Sequence, residues 1–375
     1  MLQSLNRDAV FTHPQQQQVT IIGRANHPIV VARALPHPAL SDVLRVAQLS
    51  GGVFMRAEFS APWCVAARMS PDLCAPFLKH TTHLVPYHYV VEGELFASLE
   101  DGAPTLLQNG DLVLFPRNDM HLLGSDLSRQ PVMVGDIIFS PEGDGLRTIR
   151  HGLGGTTTLM ICGYLGCEAV AGNPVFAALP RLLRLRVDEV GSAEWIRSNF
   201  HYAASEVALG RPGSDTILAK LSELLFVEAV RRYVEALPEG QTGWLGGLRD
   251  GAVARALALM HSEITRDWSV DALGRSVGVS RSVLAEKFVR LIGVAPIQYL
   301  TRWRMQVAAQ SLRETNASLS QIAVSVGYES EAAFSRAFKR EFGAAPAAWR
   351  RASLSNNAFF GKPSFRFWRK AGAKP

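Results

Sequence analysis

Four cysteines in 375 residues (Cys64, Cys74, Cys162 and Cys167) are too few and too scattered to form a disulfide framework. No run approaches the roughly 18 apolar residues of a membrane helix. The opening MLQSLNRDAVFTHPQQQQ has no apolar core of the signal-peptide type. Charged residues are only 19% of the chain against 47% hydrophobic, which excludes a disordered polyelectrolyte. These absences leave a globular chain with substantial cores, expected to be soluble in a reducing cytoplasm and without a membrane partner. Its length suits two domains.

The net charge of +6 is unevenly spread. Residues 250–351 carry 14 Lys+Arg against 9 Asp+Glu, and residues 352–375 carry five basic side chains and no acidic one, which leaves the first 249 residues at −4. A basic C-terminal part behind an acidic N-terminal part points to a polyanion as partner.

Residues 1–38, with glutamines at 15–18 and prolines at 14, 28, 36 and 38, read as a flexible leader with one short strand at 28–34. Residues 39–190 read as one domain, with a β texture from about 40 to 165 in which short apolar runs at 53–59, 88–93, 94–102, 111–116, 131–139 and 157–165 lie between Gly, Pro and Asp turn signals. Asp101-Gly102 and Asn109-Gly110 are hairpin chemistry. Such spacing predicts a sandwich or barrel. Residues 172–185 read as a turn leading to a short amphipathic segment. Residues 191–237 form a helical coupling segment of two helices, 192–209 and 214–237. In the second helix Ile217, Leu221, Leu224, Leu225, Val227 and Leu237 make a wide apolar face, suited either to packing on the barrel or to a dimer seam. The glycine-rich 238–249 reads as a linker, and 352–375 as a disordered basic tail.

The most informative stretch is 322–350. A short helix runs into Gly327-Tyr328-Glu329-Ser330, and a second helix follows with Phe334, Phe338 and Phe342 four residues apart. Ser330 is placed to cap that second helix, the phenylalanines form its buried stripe, and its other face is polar. This is the pattern of a helix-turn-helix. It occurs twice. Ser276-Val-Gly-Val precedes Ser280 as Ser325-Val-Gly-Tyr precedes Ser330, the later turn being one residue longer. Beyond the turn, Leu284, Phe288, Gly293, Pro296 and Tyr299 recur fifty residues on as Phe334, Phe338, Gly343, Pro346 and Trp349. Residues 296–315 between the copies read as one helix about 30 Å long. That matches the roughly 34 Å between successive major-groove faces on one side of DNA.

Two resemblances follow. Gly110-Asp111-Leu-Val-Leu-Phe-Pro116-x-Asn118-x-x-His121 resembles the second motif of cupins, and His88-Tyr-Val-Val-Glu92 a degraded first motif in which Pro86 stands where a second histidine is usual. Residues 250–351 closely resemble the DNA-binding domain of AraC-type regulators, through the run Gly-Tyr-x-Ser-x-x-x-Phe-x-Arg-x-Phe-Lys-x-x-x-Gly-x-x-Pro-x-x-Trp-Arg. A departure is Gly274 inside the first helix of the first unit, which should cost about 1 kcal/mol relative to alanine. Together the resemblances imply an α+β protein. Its parts are a cupin-like jelly-roll barrel, a helical segment, and an all-α domain of two helix-turn-helix units joined by a linker helix. They also imply a sequence-specific, DNA-binding transcription regulator, working as a homodimer and contacting RNA polymerase if it activates.

Helical faces assign the residues. Ser282, Ala285, Glu286, Glu331, Ala332, Ser335 and Arg336 face the groove. Arg336 suits a guanine edge, the alanines thymine methyls and a glutamate cytosine N4, while each glutamate, Glu286 above all, is also open to the plainer reading of a solvated or intramolecular ion-pair partner. Arg281, Lys287, Arg302, Arg304, Lys339 and Arg350 are the phosphate contacts. In the barrel, where the family resemblance implies an unidentified small effector, the pocket residues are His88, Glu92, His121, Trp63 and Tyr87. His88, His121 and Cys162 have the ligand types of a zinc or iron site, against the plainer reading that they only pack. An alternative from another class is a cupin metalloenzyme fused to a DNA-binding domain, which needs the near-complete ligand set that Pro86 interrupts. A ligand-free dimerisation module is a third.

Overall fold

Side chains along the β region alternate between two destinations. In the computed structural model, which describes residues 38–47, 49–69, 83–137, 148–167, 173–186, 193–209 and 211–354, Tyr87 and Tyr89 point to one face of their strand while His88 and Val90 point to the other. That period of two builds the barrel. The strand expected at 28–34, Cys74, residues 1–37 of the leader and the tail from 355 onward lie outside the described residues.

Helix α1 (Pro38–Val46) precedes strands β1 (Leu49–Ser60), β2 (Cys64–Ala67), β3 (His83–Glu92), β4 (Glu94–Leu99), β5 (Thr105–Gln108), β6 (Asp111–Leu114), β7 (His121–Gly124) and β8 (Val132–Met133). A helical turn α2 (Val134–Ile137), strands β9 (Thr148–Gly152) and β10 (Thr157–Cys167), helix α3 (Pro174–Ala178) and strand β11 (Leu183–Arg186) complete the region. The strands form a six-stranded sheet, β11-β6-β3-β10-β1-β9, and a five-stranded sheet, β5-β4-β7-β2-β8. Between them lies a core drawn from both, including Met55, Phe59, Val113, Met160, Val65, Leu95 and Leu123. The opposite face of the larger sheet, with Phe54, Tyr87, Tyr89 and Ile161, belongs to a second core.

That second core is covered by α4 (Ala193–Leu209) and α5 (Ser214–Ala236). Phe200 of α4 stacks on Tyr89 at 4.2 Å between ring centroids, and the Tyr87 hydroxyl lies 3.1 Å from the Ser222 hydroxyl on α5. The apolar face expected on this helix therefore divides. Leu221, Leu225 and Leu237 are buried, whereas Ile217 and Leu224 remain exposed.

The stretch 131–139 departs from the expected strand. Two residues pair in β8, and the chain then turns helically through Gly135-Asp136 to bury Ile137. A run rich in β-branched residues does not distinguish these outcomes. The glycine-rich 238–249 also departs from a free linker. It contains α6 (Trp244–Gly247), with Trp244, Leu245 and Leu248 fully buried. A Cβ at Gly247 would lie 2.4 Å from Ile292 Cδ1, and one at Gly246 2.0 Å from the Gln241 carbonyl oxygen. Here glycine permits close packing and does not supply flexibility.

The remaining helices are α7 (Gly251–Ser262), α8 (Val270–Val277), α9 (Arg281–Ile292), α10 (Pro296–Glu314), α11 (Leu319–Ser325), α12 (Glu331–Phe342) and α13 (Pro346–Leu354). Each starts on a readable signal. Asp250, Ser269, Ser280, Ser318 and Ser330 cap five of them with side-chain oxygens, Ser318 in a capping box with Gln321, and Pro296 and Pro346 open α10 and α13. Helix α10 gives Tyr299, Leu300 and Trp303 to the core shared with the barrel's helices. It gives Met305, Ala308, Ala309 and Leu312 to a separate core with Phe334, Phe338 and Trp349.

Gly274 is explained by the first turn. A Cβ there would sit 2.8 Å from the Val279 carbonyl oxygen, a backbone atom that cannot swing aside. The second unit, whose turn is a residue longer, carries Ala323 at the matching position. Gly274→Ala is therefore expected to lower the melting temperature, although alanine favours a helix by about 1 kcal/mol. A higher melting temperature would mean that the turn yields.

Candidate nucleic-acid interface and barrel cavity

Ser280 caps α9 by accepting from Val283 N, and Ser330 caps α12 by accepting from Ala333 N, so both helices begin at defined residues. Leu284, Phe288, Phe334 and Phe338 are fully buried and anchor them. The opposite faces are open. Arg281, Ser282 and Glu286 on α9, and Glu331, Ala332, Arg336 and Lys339 on α12, are exposed, with Ala285 and Ser335 half-buried at the edge.

Four of the expected phosphate contacts are placed differently. Arg304 donates from Nε to the Ile264 carbonyl at 2.8 Å and from Nη2 to the Arg266 carbonyl at 2.8 Å, which ties down the loop between α7 and α8. Arg350 donates to the Ala317 carbonyl at 2.6 Å, ahead of α11. Lys287 pairs with Asp250, the cap of α7, at 2.8 Å. Arg302 is half-buried, with Nη1 enclosed. The structure makes positioning residues of Arg304, Arg350 and Lys287, which sequence faces alone do not reveal because their partners lie 33 to 40 residues away. Arg281 and Lys339 are the exposed cations of the set.

A buried polar chain joins the barrel's helix α1 to the first unit. The Trp244 indole N–H donates to the Tyr299 hydroxyl at 2.9 Å, and that hydroxyl donates to His261 Nε2 at 2.8 Å. His261 Nδ1 then faces Asp42 of α1 at 3.5 Å, and its ring stacks on Trp303 at 3.9 Å between centroids. Burial keeps His261 below the ordinary histidine range, hence neutral, and the imidazole holds the Asp42 carboxyl below its own range.

Within the barrel, the motif residues build local geometry. Asn118, in the left-handed region at φ 53°, accepts from Met69 N at 3.1 Å and donates to the Met69 carbonyl at 2.7 Å. Asp111, fully buried, accepts from Gln108 N and pairs with Arg184 at 2.9 Å. His88 and His121 come together as expected, with Nε2 atoms 3.2 Å apart, and His88 Nδ1 is 3.0 Å from Cys162 Sγ. His121 Nδ1 must donate to the Asp119 carbonyl at 2.9 Å, because a carbonyl only accepts. This fixes every tautomer: His121 Nε2 accepts from His88 Nε2–H, and His88 Nδ1 accepts from the Cys162 thiol. Burial lowers the His121 pKa to about 4, holds His88 well below the histidine range and pushes the Cys162 thiol up, so all three are neutral. To ligate an ion they would have to break these bonds. Among the described residues no group of three or more His, Cys, Asp or Glu side chains is arranged as a ligand set.

These three line a cavity of about 30 Å³ with Met55, Phe59, Met69 and Met160, residues that sequence reading did not select. Trp63 stacks on Phe59 at 4.1 Å and sits behind it. Tyr87 faces α5 and lines a separate crevice of about 10 Å³, and Glu92 is exposed at the end of β3, so neither belongs to the barrel cavity.

A family model described as Cupin matches residues 39–235, and one described as Helix-turn-helix domain matches residues 273–352. A putative AraC-like transcription regulator of Streptomyces lividans is 36% identical over 251 residues, covering 66% of this chain and 80% of that protein. The chain belongs to the AraC family of transcriptional regulators. A second AraC-type relative, the HTH-type transcriptional regulator AlkR of Acinetobacter baylyi, is 31% identical over 271 residues, 71% of this chain and 87% of that one. Among solved structures, the DNA-binding domain of AdpA in complex with a target DNA matches 29% of this AraC-type chain and 98% of its own, at 27% identity and a TM-score of 0.28. All three are described as transcription regulators or factors. No helix among the described residues is long and apolar enough to cross a membrane.

Proposed function

We propose that this AraC-type regulator reads base edges through α9 and α12, with Ser282, Ala285 and Glu286 in the first unit and Glu331, Ala332, Ser335 and Arg336 in the second. Arg281 and Lys339 hold the flanking phosphates. The observation that carries this reading is the pair of capped helices, each fixed by two fully buried side chains and each turning a polar face outward. The barrel responds to a small effector, and its differential affinity for two arrangements of the chain shifts DNA binding. If the regulator activates, RNA polymerase is the further partner.

Selection of bound sequences from a random DNA library by the full-length protein tests this, with two enriched blocks about one helical turn apart as the expected result. Absence of enrichment would count against α9 and α12 as readers. On the selected site, Arg336→Ala should cost about 1–3 kcal/mol and relax one base position. Lys339→Ala should weaken all sequences alike and flatten the salt slope. An equal loss by Arg336→Ala on random DNA would overturn its assignment.

The dimer forms through the helical pair. Trp195, Tyr202 and Leu209 are spaced seven apart on α4, Ile217 and Leu224 seven apart on α5, and all five are exposed, Leu209 at 63% and Leu224 at 52%. Heptad spacing is the register of a helix–helix seam. Leu224→Glu should convert a sedimenting dimer to monomer without lowering its helix content; an unchanged sedimentation coefficient places the seam elsewhere.

A further inference from the structure

The barrel cavity offers its occupant almost nothing polar. Its wall is made of Met55, Met69, Met160, Phe59 and other apolar side chains, and among the described residues no Lys, Arg, Asp or Glu lines it. The three polar residues present satisfy one another. The Cys162 thiol donates to His88 Nδ1, His88 Nε2–H donates to His121 Nε2, and His121 Nδ1–H donates to the Asp119 carbonyl. Both imidazoles and the thiol proton are thus fully engaged. A carboxylate, an ammonium or a sugar entering here would give up its hydration without gaining a partner, a cost of several kcal/mol per polar group.

We propose that the effector of this regulator is an uncharged, predominantly apolar molecule of hydrocarbon type, aliphatic or aromatic, bound between the two sheets against the methionine wall. This rests on the reading of the barrel as the effector site and supplies the chemical class that reading leaves open. The cavity of about 30 Å³ is smaller than such a molecule, since a benzene-sized occupant needs on the order of 150 Å³. Three methionines supply the adjustment. Each has an unbranched thioether side chain with three rotatable bonds, so the wall can retreat without moving a strand. Met69 keeps its place in the wall through backbone hydrogen bonds to Asn118, which do not engage its side chain. The hydrogen-bonded His121–His88–Cys162 chain lines the same cavity.

The test uses the full-length protein with methyl-labelled methionine and three probes of similar size: toluene, benzyl alcohol and sodium benzoate. Toluene should shift the methyl resonances of Met55, Met69 and Met160 saturably and raise the melting temperature of the barrel. Benzyl alcohol should do so more weakly, and benzoate not at all. Ala67→Leu, which fills the cavity from β2, should abolish the toluene shifts. The wild-type probe comparison stands on its own if that variant fails to fold. Stronger shifts with benzoate than with toluene would overturn the apolar class and leave the barrel as the effector site. No saturable shift with any probe would overturn both. Toluene shifts confined to Met260 of α7 and Met305 of α10 would place binding outside the barrel and likewise overturn the proposal.

Discussion

Phe338→Ala is expected to unfold the second helix-turn-helix unit while the barrel and the first unit stay folded. Phe338 is fully buried, with ring centroids 5.7 Å from Phe334, 4.6 Å from Phe342 and 5.7 Å from Trp349. Truncating a buried phenylalanine costs about 3–5 kcal/mol, a large fraction of the stability of one small unit. The loss is confined because Met305, Ala308, Leu312, Phe334 and Trp349 form a core separate from the one that contains Phe288 and Tyr299. Thermal unfolding followed by far-UV dichroism should split into two transitions, and the DNase footprint should shorten at one end. A single transition at lower temperature, with the whole footprint lost, would mean that the cores melt together.

Tyr299→Phe is expected to loosen the junction between barrel and first unit at nearly constant volume. The lost hydroxyl accepts from the Trp244 indole and donates to His261, so both buried partners are orphaned, at about 1–3 kcal/mol each. His261, no longer oriented by Tyr299, also loses its alignment to Asp42 on α1. Chemical denaturation should register the destabilisation, and the fluorescence of Trp244 should change before global unfolding. An unchanged midpoint would show that solvent or rotation satisfies both groups.

The repeated unit was legible because its signals are local. Caps at Ser280 and Ser330, buried residues four apart and prolines opening α10 and α13 all fall within a few turns of the residues that they serve. The short strands β2, β5, β7, β9 and β11 were not, since four or five residues give too little alternation to register. Helix α1 was hidden beside the prolines at 36 and 38. Of the cavity, His88 and His121 were legible from the cupin-like motifs, but the methionines come from β1, β10 and the turn after β2, which no motif links. Tyr87 was misplaced by a single step along β3, where neighbours face opposite sides of the sheet. Arg304, Arg350 and Lys287 lie on polar helical faces, yet Arg304 and Arg350 bind distant backbone carbonyls and Lys287 a distant carboxylate, and a helical wheel shows neither. Glycines 246 and 247 suggested slack where the chain packs too closely to admit a Cβ.

The packing of Trp244, Leu245 and Leu248 beneath α9 and α10 bears on how this molecule can be cut and recombined. A DNA-binding fragment beginning at residue 250 would leave those three behind and strip Tyr299 of its indole donor. A chimaera that swaps sensors should be joined ahead of Gly243, whose N–H donates to the Leu291 carbonyl at 2.7 Å. Even then the graft is incomplete, because Ala39, Leu40 and Val43 of α1 fill the same core from the sensor side of the chain. A foreign sensor must bring its own plug of that shape, or the first reading unit will start life with a hole in its floor.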